Sequence, residues 1–124
     1  MSAKVLLVDD SGLARRSTRR ILEGAGYAVI EAEDGMAAIE QYYVEKPDVV
    51  MLDLIMKGMY GLEVLSKLRE MDPDARVVVL SADIQSSSRE LVQAAGAAGF
   101  LTKPADPAEM LDMVARVQRG DSWS

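Results

Sequence analysis

Five side chains in this 124-residue sequence offer chemistry that a structural residue does not need: the carboxylates of Asp9, Asp10 and Asp53, the hydroxyl of Ser81, and the ammonium of Lys103. Each stands at the carboxyl end of a short apolar run, and if those runs are parallel strands their ends share one edge of a domain. Three carboxylates gathered there repel one another and stay ionised together only around a cation. The chain has no cysteine and no histidine, so oxygen must hold that cation. A hard divalent ion fits, magnesium first and manganese as the alternative. Lysine adds a compact charge for a phosphoryl oxygen, and a serine hydroxyl can donate to another. No glycine-rich phosphate loop follows the first strand to cradle a nucleotide. The set therefore predicts a phosphoryl group carried covalently by a carboxylate, as an acyl phosphate.

The elements that must position these groups are legible in the periodicity. Strand-like runs cover Lys4–Val8, Tyr27–Glu31, Asp48–Asp53, Arg76–Leu80 and Gly99–Thr102. A helical pattern follows each. The first has an inner stripe of Leu13, Ser17 and Ile21 beside Ala14, Thr18 and Leu22, with Arg15, Arg16, Arg19 and Arg20 pointing outward until Gly24 and Gly26. Asp34 caps the second, which carries Ala38, Ile39 and Tyr42 up to Lys46-Pro47. Gly61–Glu70 places Leu62, Leu65 and Leu68 inside. Ser87-Ser88-Arg89-Glu90 reads as a capping box, opening a helix with Leu91, Val92 and Ala95 inside and Gly96 at its end. Asp106 caps the last helix, with Pro107 in its first position and Met110, Leu111, Val114 and Val117 at helical spacing. Five strands each followed by a helix, with no consecutive strands, imply an α/β doubly wound parallel sheet between two helical layers, with right-handed crossovers.

With 49% hydrophobic and 27% charged residues, the expectation is one domain over 1–124, no output domain, and a loose tail at 121–124. The net charge of −6 argues against bulk electrostatic binding of nucleic acid. No apolar run reaches the length of a membrane span and Met1–Ala3 does not read as a signal peptide, so a cytoplasmic location is expected. The eight methionines read as core filling, with Met56 and Met59 as an adaptable surface near the crevice.

Leu6-Leu7-Val8-Asp9-Asp10-Ser11, Asp53-Leu54-Ile55-Met56, Gly61-Leu62-Glu63, Ser81-Ala82 and Phe100-Leu101-Thr102-Lys103-Pro104 together resemble a response-regulator receiver domain, over essentially the whole chain. The chain is similar to the single-domain chemotaxis regulators. The resemblance implies a flavodoxin-like, CheY-like three-layer sandwich with strand order 2-1-3-4-5 and five helices. It implies a phosphorylation-activated switch of two-component signalling that takes a phosphoryl group on Asp53 in a magnesium-dependent reaction. Asp10, Asp53 and the carbonyl of Ile55 would bind the ion directly and Asp9 through water. Lys103 would pair with the phosphoryl group, and Ser81 and Phe100 would be the switch pair. Partners would be a sensor histidine kinase or a histidine phosphotransfer protein, and a downstream protein target that reads the face of the fourth helix, fifth strand and fifth helix. No direct contact with nucleic acid and no membrane insertion is expected.

Ile55 and Asp83, two residues beyond Asp53 and Ser81, would flank an attacking water and set how long the phosphate lasts. Three positions depart from the pattern. Lys57 stands where proline is usual, Ile55 where a polar residue is common, and Ser81 where threonine is commoner. None removes a required functional group.

Taken alone, each motif has a plainer explanation. Asp9-Asp10-Ser11 is more often a helix cap and turn than a metal site. Asp53 could be a solvated strand end, Ser81 a loop hydroxyl, Lys103-Pro104 a turn, and Phe100 core. Joint placement at the ends of four strands lifts the functional reading. The competing functions are a magnesium-dependent phosphohydrolase with an aspartyl-phosphate intermediate and a flavodoxin-like carrier, the latter disfavoured by acid residues where a flavin phosphate would sit.

Overall fold

A strand buried on both faces needs apolar side chains at consecutive positions, and Val5-Leu6-Leu7-Val8, Val49-Val50-Met51-Leu52 and Val77-Val78-Val79-Leu80 supply them. The computed structural model describes residues 3–56, 59–82 and 86–121. In chain order its elements are β1 (Lys4–Val8), α1 (Gly12–Gly24), β2 (Ala28–Ala32), α2 (Gly35–Glu45), β3 (Val49–Asp53), β4 (Ile55–Met56), β5 (Met59–Tyr60), α3 (Gly61–Met71), β6 (Val77–Ser81), α4 (Ser86–Ala94), β7 (Gly99–Thr102) and α5 (Pro107–Gln118). Five strands pair in parallel in the order β2-β1-β3-β6-β7. Counted within that sheet the order is 2-1-3-4-5, as expected. Most strands begin one residue later than the apolar pattern suggested.

The pleat sends alternate side chains to two separate cores. Leu6, Val8, Val50, Leu52, Val77 and Val79 meet side chains of α2, α3 and α4. Val5, Leu7, Val49, Met51, Val78 and Leu80 meet those of α1 and α5. Three helix starts are capped as the sequence indicates. Ser11 Oγ accepts from Ala14 N at 3.2 Å, Asp34 Oδ1 from Ala37 N at 2.8 Å, and Asp106 Oδ2 from Glu109 N at 3.2 Å. Among the described residues no helix is long and apolar enough to cross a membrane.

Several expectations are corrected. Leu13 is 74% exposed and Ser17 also faces out. The inner face of α1 runs instead through Ala14, Thr18, Ile21 and Leu22, about 100° round from those two positions. Arg15 and Arg19 do not simply point into solvent, because both reach Glu31 on β2. Gly61, Val64, Leu65 and Leu68 form the buried face of α3, leaving Leu62 partly covered. On α4 the buried pair is Ser88 and Val92, four residues apart, which turns Leu91 outward to 52% exposure. That helix begins at Ser86, so Ser87 lies inside it rather than at the cap. Met56 is buried in the core and is not a surface side chain. An antiparallel pair, β4 with β5, interrupts the simple alternation of strand and helix. Asp83, Lys57 and, apart from Asp121, the tail at 121–124 lie outside the described residues.

Candidate functional site

The parallel register sets the edge: Val8 pairs with Leu52, Asp53 with Leu80, and Ser81 with Thr102. The chain therefore leaves β1, β3, β6 and β7 at one level. One carboxylate oxygen each of Asp9, Asp10 and Asp53 lies within 4.8 Å of the others. Lys103 Nζ stands between two of these groups, 3.0 Å from Asp9 Oδ2 and 3.2 Å from Asp53 Oδ2. Its own backbone is held by a 2.9 Å bond from Lys103 N to the Ser81 carbonyl, across the β6–β7 pair.

Asp9 is tied at both carboxylate oxygens, since Oδ1 accepts from Ser11 N at 2.9 Å and Oδ2 from Lys103. Its N–H donates to the Ala32 carbonyl, and its carbonyl accepts from Arg15. Asp10 is exposed beside it. Asp53 is mostly enclosed, with 12% of its side chain exposed, and its Oδ1 accepts a long 3.4 Å contact from Ile55 N. Burial pushes the Asp53 carboxyl above the ordinary carboxylate range, Lys103 opposes that rise, and Asp9 adds to it. For Lys103, burial favours the neutral amine, but the hydrogen bond from its ammonium to Asp9 and the charges of Asp53 and Asp9 outweigh it and raise the pKa. The edge thus holds an enclosed carboxylate, a retained cation and two further acids.

Ser81 is buried, at 1% exposure, and Phe100 is half-buried against the core that faces α2, α3 and α4. Both stand on adjacent strands, β6 and β7, with Phe100 paired in register with Val79. Ile55 is 62% exposed just beyond Asp53.

Two residues stand at this edge in a way the sequence reading did not indicate. Gly61 lies where an added Cβ would stand 2.6 Å from the Asp53 carbonyl and 2.7 Å from Leu54 Cα. Arg15 lines the same cavity as Asp9, Asp53 and Lys103. The signal for Arg15 was available, because a 2-1-3 strand order sets Glu31 opposite Leu7, two residues before Asp9.

Residues 5–115 match the family model of the response regulator receiver domain. The chain belongs to that family. Receiver-domain relatives cover it almost completely. The chemotaxis protein CheY of Thermotoga maritima is 34% identical over 120 residues, spanning 96% of this chain and 100% of the relative. A two-component response regulator of the LuxR family from Aurantimonas sp. SI85-9A1 superposes with a TM-score of 0.93 at 34% identity, over 98% of this chain and 89% of that one. A chain of the CheX-CheY-BeF3-Mg+2 complex of Borrelia burgdorferi gives 0.89 at 34% identity, over 93% of this receiver domain and 88% of that chain. This chain is a response regulator receiver domain of two-component signalling, a family of signalling proteins.

Proposed function

We propose that this receiver domain is a magnesium-dependent switch that accepts a phosphoryl group on Asp53 from a phosphohistidine of a kinase or phosphotransfer protein. The observation that carries the reading is the Lys103 ammonium held between Asp9 and Asp53 with Asp10 in reach. In the transfer, an Asp53 oxygen forms the new P–O bond while the P–N bond of the donor breaks. Its electron pair returns to the donor imidazole, which takes up a proton. Lys103 stands where it can hold a phosphoryl oxygen on Asp53 as a point charge.

The donor set fits a hard cation. Two oxygens on one magnesium ion lie at most about 4.2 Å apart, close to the spread of these carboxylates. Asp9, whose two oxygens are the more tightly held at 2.9 Å by Ser11 N and 3.0 Å by Lys103, takes the place that reaches an ion through water, with Asp10, Asp53 and the Ile55 carbonyl as direct ligands. Such an ion would neutralise charge that builds up on the phosphoryl oxygens. The BeF3 and Mg+2 named in the Borrelia burgdorferi complex support magnesium as the ion.

Incubation with a small phosphodonor, with and without magnesium, tests the proposal. A switch retains an acid-labile phosphate, whereas a phosphohydrolase turns the donor over continuously and leaves little label. Asp10→Ala is expected to weaken magnesium binding on the order of tenfold, and Asp9→Ala by clearly less. Equal affinities in calorimetry would refute the division between direct and water-mediated ligands.

We place the lifetime of the phosphate with Ile55 and Asp83. An exposed isoleucine beside the acceptor can shield a phosphoryl group and cannot orient a water by hydrogen bonding. Ile55→Asn is therefore expected to speed loss of the label several-fold, followed as decay after the donor is removed. An unchanged rate would move control of the lifetime elsewhere.

The output reading assigns Ser81 and Phe100 as the switch pair and the α4–β7–α5 face as the surface a partner protein reads. Drawing the Ser81 hydroxyl towards a phosphoryl group would open space beside the sheet for the Phe100 ring. The burial of Ser81 and the half-burial of Phe100 on neighbouring strands support this. The switch would act in the cytoplasm, where phosphohistidine donors are made.

A further inference from the structure

β1 ends at Val8, so Asp9 and Asp10 occupy a bend rather than a strand, and their orientation depends on what holds the backbone there. The Asp9 carbonyl and the Asp10 amide belong to one planar peptide unit. Arg15 donates from Nη1 to that carbonyl at 2.5 Å and from Nε to Glu31 Oε1 at 2.9 Å. The other Glu31 oxygen accepts from Arg19 Nη1 at 2.7 Å, which keeps the carboxylate from turning away. Glu31 itself is fixed on β2 by its pairing with Leu7. Arg15 is the most enclosed of these three, with 16% of its side chain exposed.

We infer that Arg15 is a positioning residue for the acidic edge: clamped by Glu31, it fixes the Asp9–Asp10 peptide plane and so sets where the Asp10 carboxylate is presented to a divalent ion. The planar fork holds a carboxylate and a carbonyl in fixed relative directions, which the compact, freely rotating ammonium of a lysine does less rigidly. This role rests on the assignment of Asp10 as a metal ligand. The opposing effect is electrostatic. A guanidinium lining the same cavity repels a divalent cation, so a residue without a positioning role would weaken magnesium binding by its presence and strengthen it by its loss. The sign of the change separates the two.

The experiment measures magnesium affinity by calorimetry and the mobility of the Asp10 amide by nitrogen-15 NMR relaxation, in wild type, Arg15→Ala, Arg15→Lys and Glu31→Gln. Thermal melts confirm that each variant is folded. Arg15→Ala is expected to lose several-fold in affinity, less than the loss of the Asp10 carboxylate itself, because the removed guanidinium no longer repels the ion. The Asp10 amide should become more mobile in the metal-free protein. Glu31→Gln should show a smaller loss, and Arg15→Lys should restore only part of it. Should Arg15→Ala fail to fold, Glu31→Gln decides the matter on both readouts. Unchanged or tighter magnesium binding with an unmoved Asp10 amide would overturn the role and leave Arg15 as a strut between α1 and β2. If the wild type bound no magnesium, the metal assignment would fall by itself. The metal-free Asp10 amide would then decide the positioning, which a rigid amide in Arg15→Ala would refute.

Discussion

Asp53→Asn is expected to lose all acid-labile label from a small phosphodonor and to melt higher than wild type in metal-free buffer at neutral pH. The loss follows from chemistry, because an amide oxygen is a poor nucleophile and Asp53, enclosed with a lysine at 3.2 Å, keeps one oxygen held only by a 3.4 Å contact, whereas Asp9 Oδ1 is tied to Ser11 N at 2.9 Å. The gain follows from linkage. Burial raises the Asp53 pKa in the folded protein. A raised folded value contributes stability below the unfolded pKa that is lost as pH rises through the folded pKa. At neutral pH the ionised group is therefore a stability deficit, which the neutral amide removes. The advantage of the variant should shrink as pH is lowered into and below the ordinary carboxylate range. Mass spectrometry of the adduct and calorimetric melts across pH check the two halves separately. Label found on Asp9, Asp10 or Ser81 would refute the acceptor, and a variant no more stable than wild type at neutral pH would refute the account of Asp53 burial.

How much of this could be read from the sequence differs by element for physical reasons. The central strands announced themselves, since a run such as Val77-Val78-Val79-Leu80 has few uses other than burial on both faces. Their parallel arrangement then gave the functional edge, because chemistry at the ends of parallel strands needs no knowledge of side-chain packing. Helix faces were less legible. Leu13 and Leu91 look like core by type, yet each sits one residue, or about 100°, away from the stripe that packs. The arginines of α1 looked like a solvated face because their partner, Glu31, lies on another element, and pairing across elements is invisible until strand order is applied. The β4–β5 pair was missed because two-residue strands carry no periodicity. Gly61 was seen as part of a family pattern but not as a contact, since the absence of a side chain says nothing about how close another backbone comes.

Gly61→Ala is expected to be strongly damaging, lowering stability by roughly 1–3 kcal/mol or more. At the size of this domain that corresponds to a melting temperature lower by roughly 5–15 °C. The reason is contact rather than torsion. α3 starts at Gly61, whose N–H donates to the Leu54 carbonyl at 2.7 Å, and a Cβ there would also lie 2.8 Å from that oxygen. The atoms in the way are backbone atoms of Asp53 and Leu54, which cannot rotate aside as a side chain can. Either α3 lifts off or the end of β3 shifts, and in the second case the Asp53 carboxylate moves relative to Lys103. Labelling by a phosphodonor should then fall along with stability. Gly24→Ala is the matched control, because it adds the same methyl at the last residue of α1, where nothing stands within 4 Å. There the lost freedom of the unfolded chain should leave the protein unchanged or more stable by about 0.4–1 kcal/mol, with labelling intact. Equal melting temperatures for the two variants would show that the approach of α3 to Asp53 does not hold the acceptor in place.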